Sequence, residues 1–141
     1  MTVAEAGDYV SEVNRSWTQE RAASWAVTER GVVLGRMSLR TVDLEEGLAE
    51  IGYWVVPAAR GRGVAPRALA VVSGWAFHEL GLHRLELEHS TRNPASCRVA
   101  AKVGYILEGS KRSQARHGDG WHDMHLHSLL DEEFPSELST S

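Results

Sequence analysis

Val55-Val56-Pro57-Ala58-Ala59-Arg60-Gly61-Arg62-Gly63-Val64-Ala65 is the stretch whose reading decides the fold. Pro57 stops an alternating run over residues 49–56, in which Ile51, Tyr53 and Val55 face one way and Glu50, Trp54 and Val56 the other. Two glycines then clear side chains from a tight loop. A helix begins at once: Ala65, Ala68, Leu69, Val72, Trp75, Ala76 and Leu80 make a broad apolar face over residues 64–80, and Gly81 is placed to end it. The first turn of such a helix carries unpaired N–H groups and the positive end of the macrodipole. Glycine lets that backbone approach an anion closely, so a diphosphate is the natural guest. Pro66 sits where a missing N–H costs little, and Arg60, Arg62 and Arg67 add positive charge. Taken alone, Gly-x-Gly at this place also suits a plain structural turn. It is neither a Gly-Lys-Ser/Thr phosphate loop nor a dinucleotide fingerprint, since the third glycine is absent.

Upstream, Val3, Ala6, Val10, Val13 and Trp17 recur at steps of three and four and predict a helix, with Thr2 and Glu5 at capping-box spacing. Residues 24–28 and 32–40 read as strands joined by Glu29-Arg30-Gly31, an antiparallel hairpin. Downstream, Leu85 and Leu87 alternate with Glu86 and Glu88 in a strand over residues 84–89. Asn93-Pro94-Ala95-Ser96 opens a short helix closed by Gly104. Residues 105–111 and 123–130 read as strands around a His117-Gly118-Asp119-Gly120 turn. The strand-helix-strand unit demands parallel pairing in the middle, and the hairpins are antiparallel. The expectation is a mixed α/β sheet with helices on both faces. It forms one domain over residues 1–130, with a polar, frayed tail over 131–141.

Composition narrows the classes. The chain has 141 residues, 43% of them hydrophobic, and a net charge of −4, which speaks against nucleic-acid coating as its main business. The lone Cys97 excludes an internal disulfide and any multi-cysteine metal site. No run approaches the roughly 18 apolar residues of a membrane helix. Residues 1–5 show no basic stretch leading into an apolar one, so a cytoplasmic protein with no membrane partner is expected.

With its neighbours, the loop resembles the GNAT family of acetyl-CoA-dependent N-acetyltransferases. The family signature Gln/Arg-x-x-Gly-x-Gly/Ala is met by Arg60, Gly63 and Ala65. Glu50-Ile51-Gly52-Tyr53-Trp54-Val55-Val56-Pro57 is similar to the family's fourth strand. Asn93-Pro94-Ala95-Ser96, Lys102-Val103-Gly104-Tyr105 and Glu108-Gly109 are similar to the RimJ/RimL branch, the ribosomal-protein N-terminal acetyltransferases. The resemblance covers residues 50–109. It implies a mostly antiparallel sheet with a central, splayed parallel pair, and acetyl-CoA as cosubstrate. Backbone amides of Arg62, Gly63, Val64 and Ala65 would hold the diphosphate beside Arg60 and Gly61. Trp54, Val55 and Val56 would pair with the pantetheine arm, and Asn93 and Ser96 would line its other side. Ser96 would donate a proton to the departing sulfur. Two positions depart from the pattern: Ala100 stands where many members carry a tyrosine, and Ala115 where RimL-like enzymes place a glutamate base. By the same resemblance the chain lacks the family's first strand, which leaves a hairpin edge that a second copy, in a homodimer, would cover.

Acetyl transfer needs a neutral amine. A lysine-like amine costs roughly 4–5 kcal/mol to deprotonate at pH 7, an α-amine only about 1 kcal/mol. Glu50, Glu86 and Glu88 are the candidate bases, directly or through water. Glu86 and Glu88 share a strand face; Glu88 lies nearer the strand's C-terminal end and is the expected base, with Glu50 near the acceptor side. The bland alternative for each is a solvated or ion-paired strand glutamate. His89 is a further candidate base. His122-x-x-His125-x-His127 has no carboxylate or cysteine to complete a ligand set, so no metal is expected. Cys97 reads as packing, Trp17, Trp25 and Trp75 as core, and Trp54 and Trp121 as walls for the acceptor. The expected activity is acetyl transfer from acetyl-CoA to a primary amine such as a peptide N-terminus, by direct attack. The rivals are a small-molecule amine or antibiotic acetyltransferase, and an acyl-CoA-binding module without turnover.

Overall fold

Alternation with a period of two builds the sheet. The computed structural model describes residues 22–135. Six strands, β1 (Ala23–Glu29), β2 (Val32–Asp43), β3 (Leu48–Val55), β4 (Arg84–Ser90), β5 (Ile106–His117) and β6 (Gly120–Leu130), form one sheet in the order β1-β2-β3-β4-β6-β5. Two helices, α1 (Val64–His78) and α2 (Pro94–Val103), follow β3 and β4. Every pair is antiparallel except β3 with β4. That pair keeps register only from Leu48↔Arg84 to Ile51↔Leu87, after which the two strands part. The sheet therefore opens a wedge between residues 52–55 and 88–90, as the resemblance implies.

The apolar positions of each strand set the core side. Trp25 opposes Met37, and Leu39, Ile51 and Leu87 lie across one another on the same face, all buried. Both described helices cover that face. From α1 come Ala68, Leu69, Val72 and Ala76; Trp75 meets Trp25 edge-on at 5.1 Å. α2 adds Ala100, and the Ser73 hydroxyl hydrogen-bonds the Tyr105 phenol at 2.8 Å in the interior. Burying an aliphatic side chain of this size contributes about 1.5–3 kcal/mol, so this face holds the domain together. The opposite face is polar around Arg84, which bridges Glu86 and Glu108. These contacts and a hydrogen bond from Ser128 hold the Glu108 carboxyl down at about 2. The helix expected over residues 3–17 lies outside the described residues.

Two boundaries differ from the expectation. The last hairpin is longer: β6 begins at Gly120 rather than Asp123, and β5 runs to His117 around a Gly118-Asp119 turn. Cross-strand pairing extends mixed polar sequence that periodicity alone does not mark. The segment after Asp131 is not frayed at its start. A single turn over Asp131–Glu133 delivers Phe134, 7% exposed, onto Phe77 at 5.5 Å between ring centroids. One aromatic in a polar stretch suffices to dock it.

Candidate active site

The wedge between β3 and β4 continues into a cleft of about 580 Å3, floored by the loop after β3 and walled by the first turns of both helices. A short turn over Pro57–Ala59 lifts the chain off β3. Gly61 and Gly63 then take φ of +79° and +77°, a left-handed conformation that side chains resist, and this reverses the chain into α1. Gly63 is the N-cap of α1 and supplies no side-chain cap, and the first turn holds no acid. The leading amides thus keep their donors and their positive field for a ligand. The loop arginines are fixed from behind. Arg60 Nε donates to the Val55 carbonyl at 3.1 Å, Arg62 pairs with Glu29 at 2.8 Å, and Arg67 donates to the carbonyls of Arg62 and Gly63.

Across the cleft, α2 starts in the opposite manner. The Asn93 side chain accepts from the Ser96 amide at 3.3 Å and caps the helix, with Pro94 in the first turn. Ser96 is thereby held with its hydroxyl against Tyr53, whose Oη donates to Ser96 Oγ at 3.2 Å. Burial pushes the Tyr53 phenol above its ordinary value, so it stays a donor at neutral pH. Tyr53 then occupies the Ser96 oxygen as donor, which frees the serine proton for a third group.

Of the residues expected at the cofactor, Trp54, Val55, Arg60, Gly61, Gly63, Val64, Ala65, Asn93 and Ser96 line this cleft together. Val56 and Arg62 stand behind it. The Val56 amide is bound to the Leu34 carbonyl at 2.8 Å, and the Arg62 side chain turns to Glu29. The cleft also has Tyr53, Arg98 and Lys102 in its wall, which the sequence reading passed over. Tyr53 alternates with Ile51 and Val55 and so reads as core; its place at the parting end of the strand was the available signal. Arg98 and Lys102 sit four apart on α2, a spacing that puts both on one helix face.

The expected bases lie on the other side of the sheet. Glu50, Glu86 and Glu88 gather with carboxylate oxygens within 4.8 Å of one another. Glu50 accepts from the Thr41 hydroxyl at 3.1 Å, Glu86 from Arg84 at 2.9 Å, and Glu88 from Lys111 at 2.6 Å. The Glu88 carboxylate, with Glu86 and Glu50 behind it, raises the Lys111 ammonium above its usual value. Glu88 is thus partnered by a primary ammonium, an arrangement hidden from the sequence because β5 brings the lysine across 23 positions. Trp54, 53% exposed, borders the wedge, while Trp121, 58% exposed, sits at the hairpin tip. Cys97 faces away from the cleft wall toward His127, with Sγ to Nε2 at 3.7 Å.

Comparison with known proteins agrees with this geometry. A family model described as "Acetyltransferase (GNAT) domain" matches residues 1–106. YdaF of Bacillus subtilis (strain 168), assigned by name to the ribosomal N-acetyltransferases, is 32% identical over 107 residues, 76% of this chain and 58% of that protein. A ribosomal-protein-serine acetyltransferase of Escherichia coli (strain K12) is 26% identical over 109 residues, 77% of this chain and 61% of that one. The solved structure of Mycobacterium smegmatis RimJ in complex with CoA-disulfide superposes with a TM-score of 0.81 at 29% identity, covering 86% of this chain and 59% of that one. The chain spans little more than half the length of these relatives.

Proposed function

The chain belongs to the GNAT acetyltransferase family, and on that premise we propose that it moves the acetyl group of acetyl-CoA to a primary amine by direct attack. The observation that carries the proposal is the cleft in which the uncapped start of α1, the parted end of β3 and the Ser96 hydroxyl converge. Amides of residues 62–65 hold the diphosphate, with glycine at 61 and 63 permitting the approach. Backbone groups of β3 beyond Ile51, no longer paired with β4, take the pantetheine arm. Ser96, backed by the Tyr53 phenol, gives its proton to the departing sulfur. The amine enters through the wedge from the side of Glu50, Glu86 and Glu88, which attract its charged form and take its proton. Glu88 is held by Lys111, so Glu50 or a water on the trio shares the role of base with it.

The acceptor we favour is a peptide α-amine, because its deprotonation costs only about 1 kcal/mol at pH 7 and asks little of partnered carboxylates. The names of YdaF and the E. coli relative support it. A small cationic amine is the second reading. Three carboxylates within 4.8 Å, already seating one primary ammonium, favour it. The reading carries with it a cytoplasmic location, where acetyl-CoA is made and used. It also includes a homodimer through the β1 edge of the sheet, which a concentration-independent monomer mass would overturn.

Titration with acetyl-CoA tests the cleft, and thiol release with a panel of peptides and small amines tests transfer. No saturable binding ends the reading; binding without release for any amine leaves the module without turnover.

A further inference from the structure

Beneath α2, on the helix-covered face of the sheet, three side chains that are distant in sequence meet. His89 on β4, Cys97 on α2 and His127 on β6 each place one donor atom within 4.8 Å of the others. His89 is 7% exposed and His127 3%. We propose that these three residues bind a borderline-soft divalent metal ion, Zn2+ foremost, at a site separate from the acetyl-transfer cleft.

The case rests on a buried lone pair without a partner among the described residues, and on two soft donors gathered beside it. His89 Nδ1 donates to the Ser90 carbonyl at 2.8 Å, which fixes the tautomer and leaves Nε2 as a bare lone pair. That Nε2 is buried and has no hydrogen-bond partner among the described residues; His127 turns its Nε2 to the Cys97 thiol, and its buried Nδ1 also lacks a partner among them. An interior apolar histidine pair would be a costly way to fill space, because a buried polar atom without a partner is destabilising. A metal ion uses such a lone pair. The two rings lie nearly stacked, with centroids 5.0 Å apart and planes at 26°. Cys97 Sγ stands 3.7 Å from His127 Nε2. In a tetrahedral site with Zn–S near 2.3 Å and Zn–N near 2.0–2.1 Å, sulfur and nitrogen are about 3.5 Å apart. The 3.7 Å separation is already near that value, and all three residues offer a donor within 4.8 Å of the others.

Chemistry and access agree. Burial lowers both imidazoles below their usual value, which keeps them neutral near pH 7. Binding replaces the Cys97 S–H bond with an S–metal bond and releases one proton to solvent. Cys97 is only partly buried, which gives the ion a path in. Imidazole and thiolate together select Zn2+ or Co2+ over Mg2+ or Ca2+, and three protein ligands leave the fourth position to water. Of His122, His125 and His127, only His127 belongs to this set; its partners come from β4 and α2.

Metal-free protein, prepared with chelator under reducing conditions, is titrated with Co2+. The expected result is one equivalent bound with a sulfur-to-cobalt charge-transfer band, displaced by Zn2+. Cys97→Ser should abolish the band, and His89→Gln and His127→Gln should each weaken binding at least tenfold, while His83→Gln leaves it unchanged. Absence of the band, or its persistence in both histidine variants, overturns the site. Should those variants fail to fold, the wild-type chain decides. Cys97 is its sole cysteine, so Zn2+ should slow its alkylation at least tenfold, and an unchanged rate overturns the proposal.

Discussion

Two helices start on the walls of one cleft, and their first turns are finished in opposite ways. α1 begins at Gly63, at φ +77°, with neither a capping side chain nor an acid in its first turn. α2 begins at Asn93, whose side chain closes on the Ser96 amide. An uncapped start leaves donors for a ligand; a capped start yields a rigid shelf on which a serine hydroxyl can be aimed. On the proposed reading the cleft uses one of each: an anion grip at one end and a proton donor held still at the other.

The largest expected effect comes from giving α1 the cap it lacks. Gly63→Asp puts a carboxylate at the N-terminus, where it occupies the amides and repels a diphosphate; aspartate also tolerates a left-handed backbone better than most residues. CoA affinity by calorimetry should fall at least a hundredfold, about 2.7 kcal/mol, with the circular dichroism spectrum kept. Unchanged affinity would remove the α1 start from the binding site. Ser96→Ala tests the other wall: turnover should drop by about a hundredfold while CoA affinity holds. Tyr53→Phe, which loses only the bond that orients Ser96, should cost less, about tenfold in turnover with affinity again unchanged. Equal losses in the two variants would mean the phenol, not the serine, meets the sulfur.

Removing the cap of α2 should be milder in stability than in geometry. Asn93→Ala is expected to cost about 1 kcal/mol by denaturant unfolding. It should loosen Ser96, so that turnover falls more than stability alone explains. The smallest effect lies away from the cleft, at Glu108. Its carboxyl sits near 2 in the fold against 4.5 when unperturbed, held first by Arg84 and then by Ser128. A depressed acid stabilises the fold above the unfolded value, and that contribution fades as pH drops from about 4.5 to about 2. The group is over a third exposed, so Glu108→Gln should cost at most about 1 kcal/mol at pH 7. The gap to wild type should close below pH 2.

Legibility follows the range of the interactions. Strand alternation, the glycine loop, the Asn93 cap and the order of elements are local, and each is visible in a few neighbouring residues. The proposed anion end of the cleft is made of backbone, so its position could be read once a glycine loop was seen to open a helix. Ser96 came from the family resemblance of Asn93-Pro94-Ala95-Ser96, not from local geometry. Tyr53 was not legible, because a residue on the apolar stripe of a strand becomes a wall only where β4 turns away. Nor was the seating of Lys111 on Glu88, which requires β5 to fold back across β6. Phe134 escaped notice in a polar stretch because its partner, Phe77, lies on another element.

The sequence by itself therefore determined the type and order of the described elements, the glycine-opened start of α1 and the capped start of α2, since all depend on contacts within a few residues. Tertiary structure alone decided which carboxylates gather, which cation each of Glu86 and Glu88 meets, and that two histidines from separate strands meet the only cysteine. Side chains from three elements become neighbours only through sheet register and helix packing, and no local pattern encodes distance across a fold.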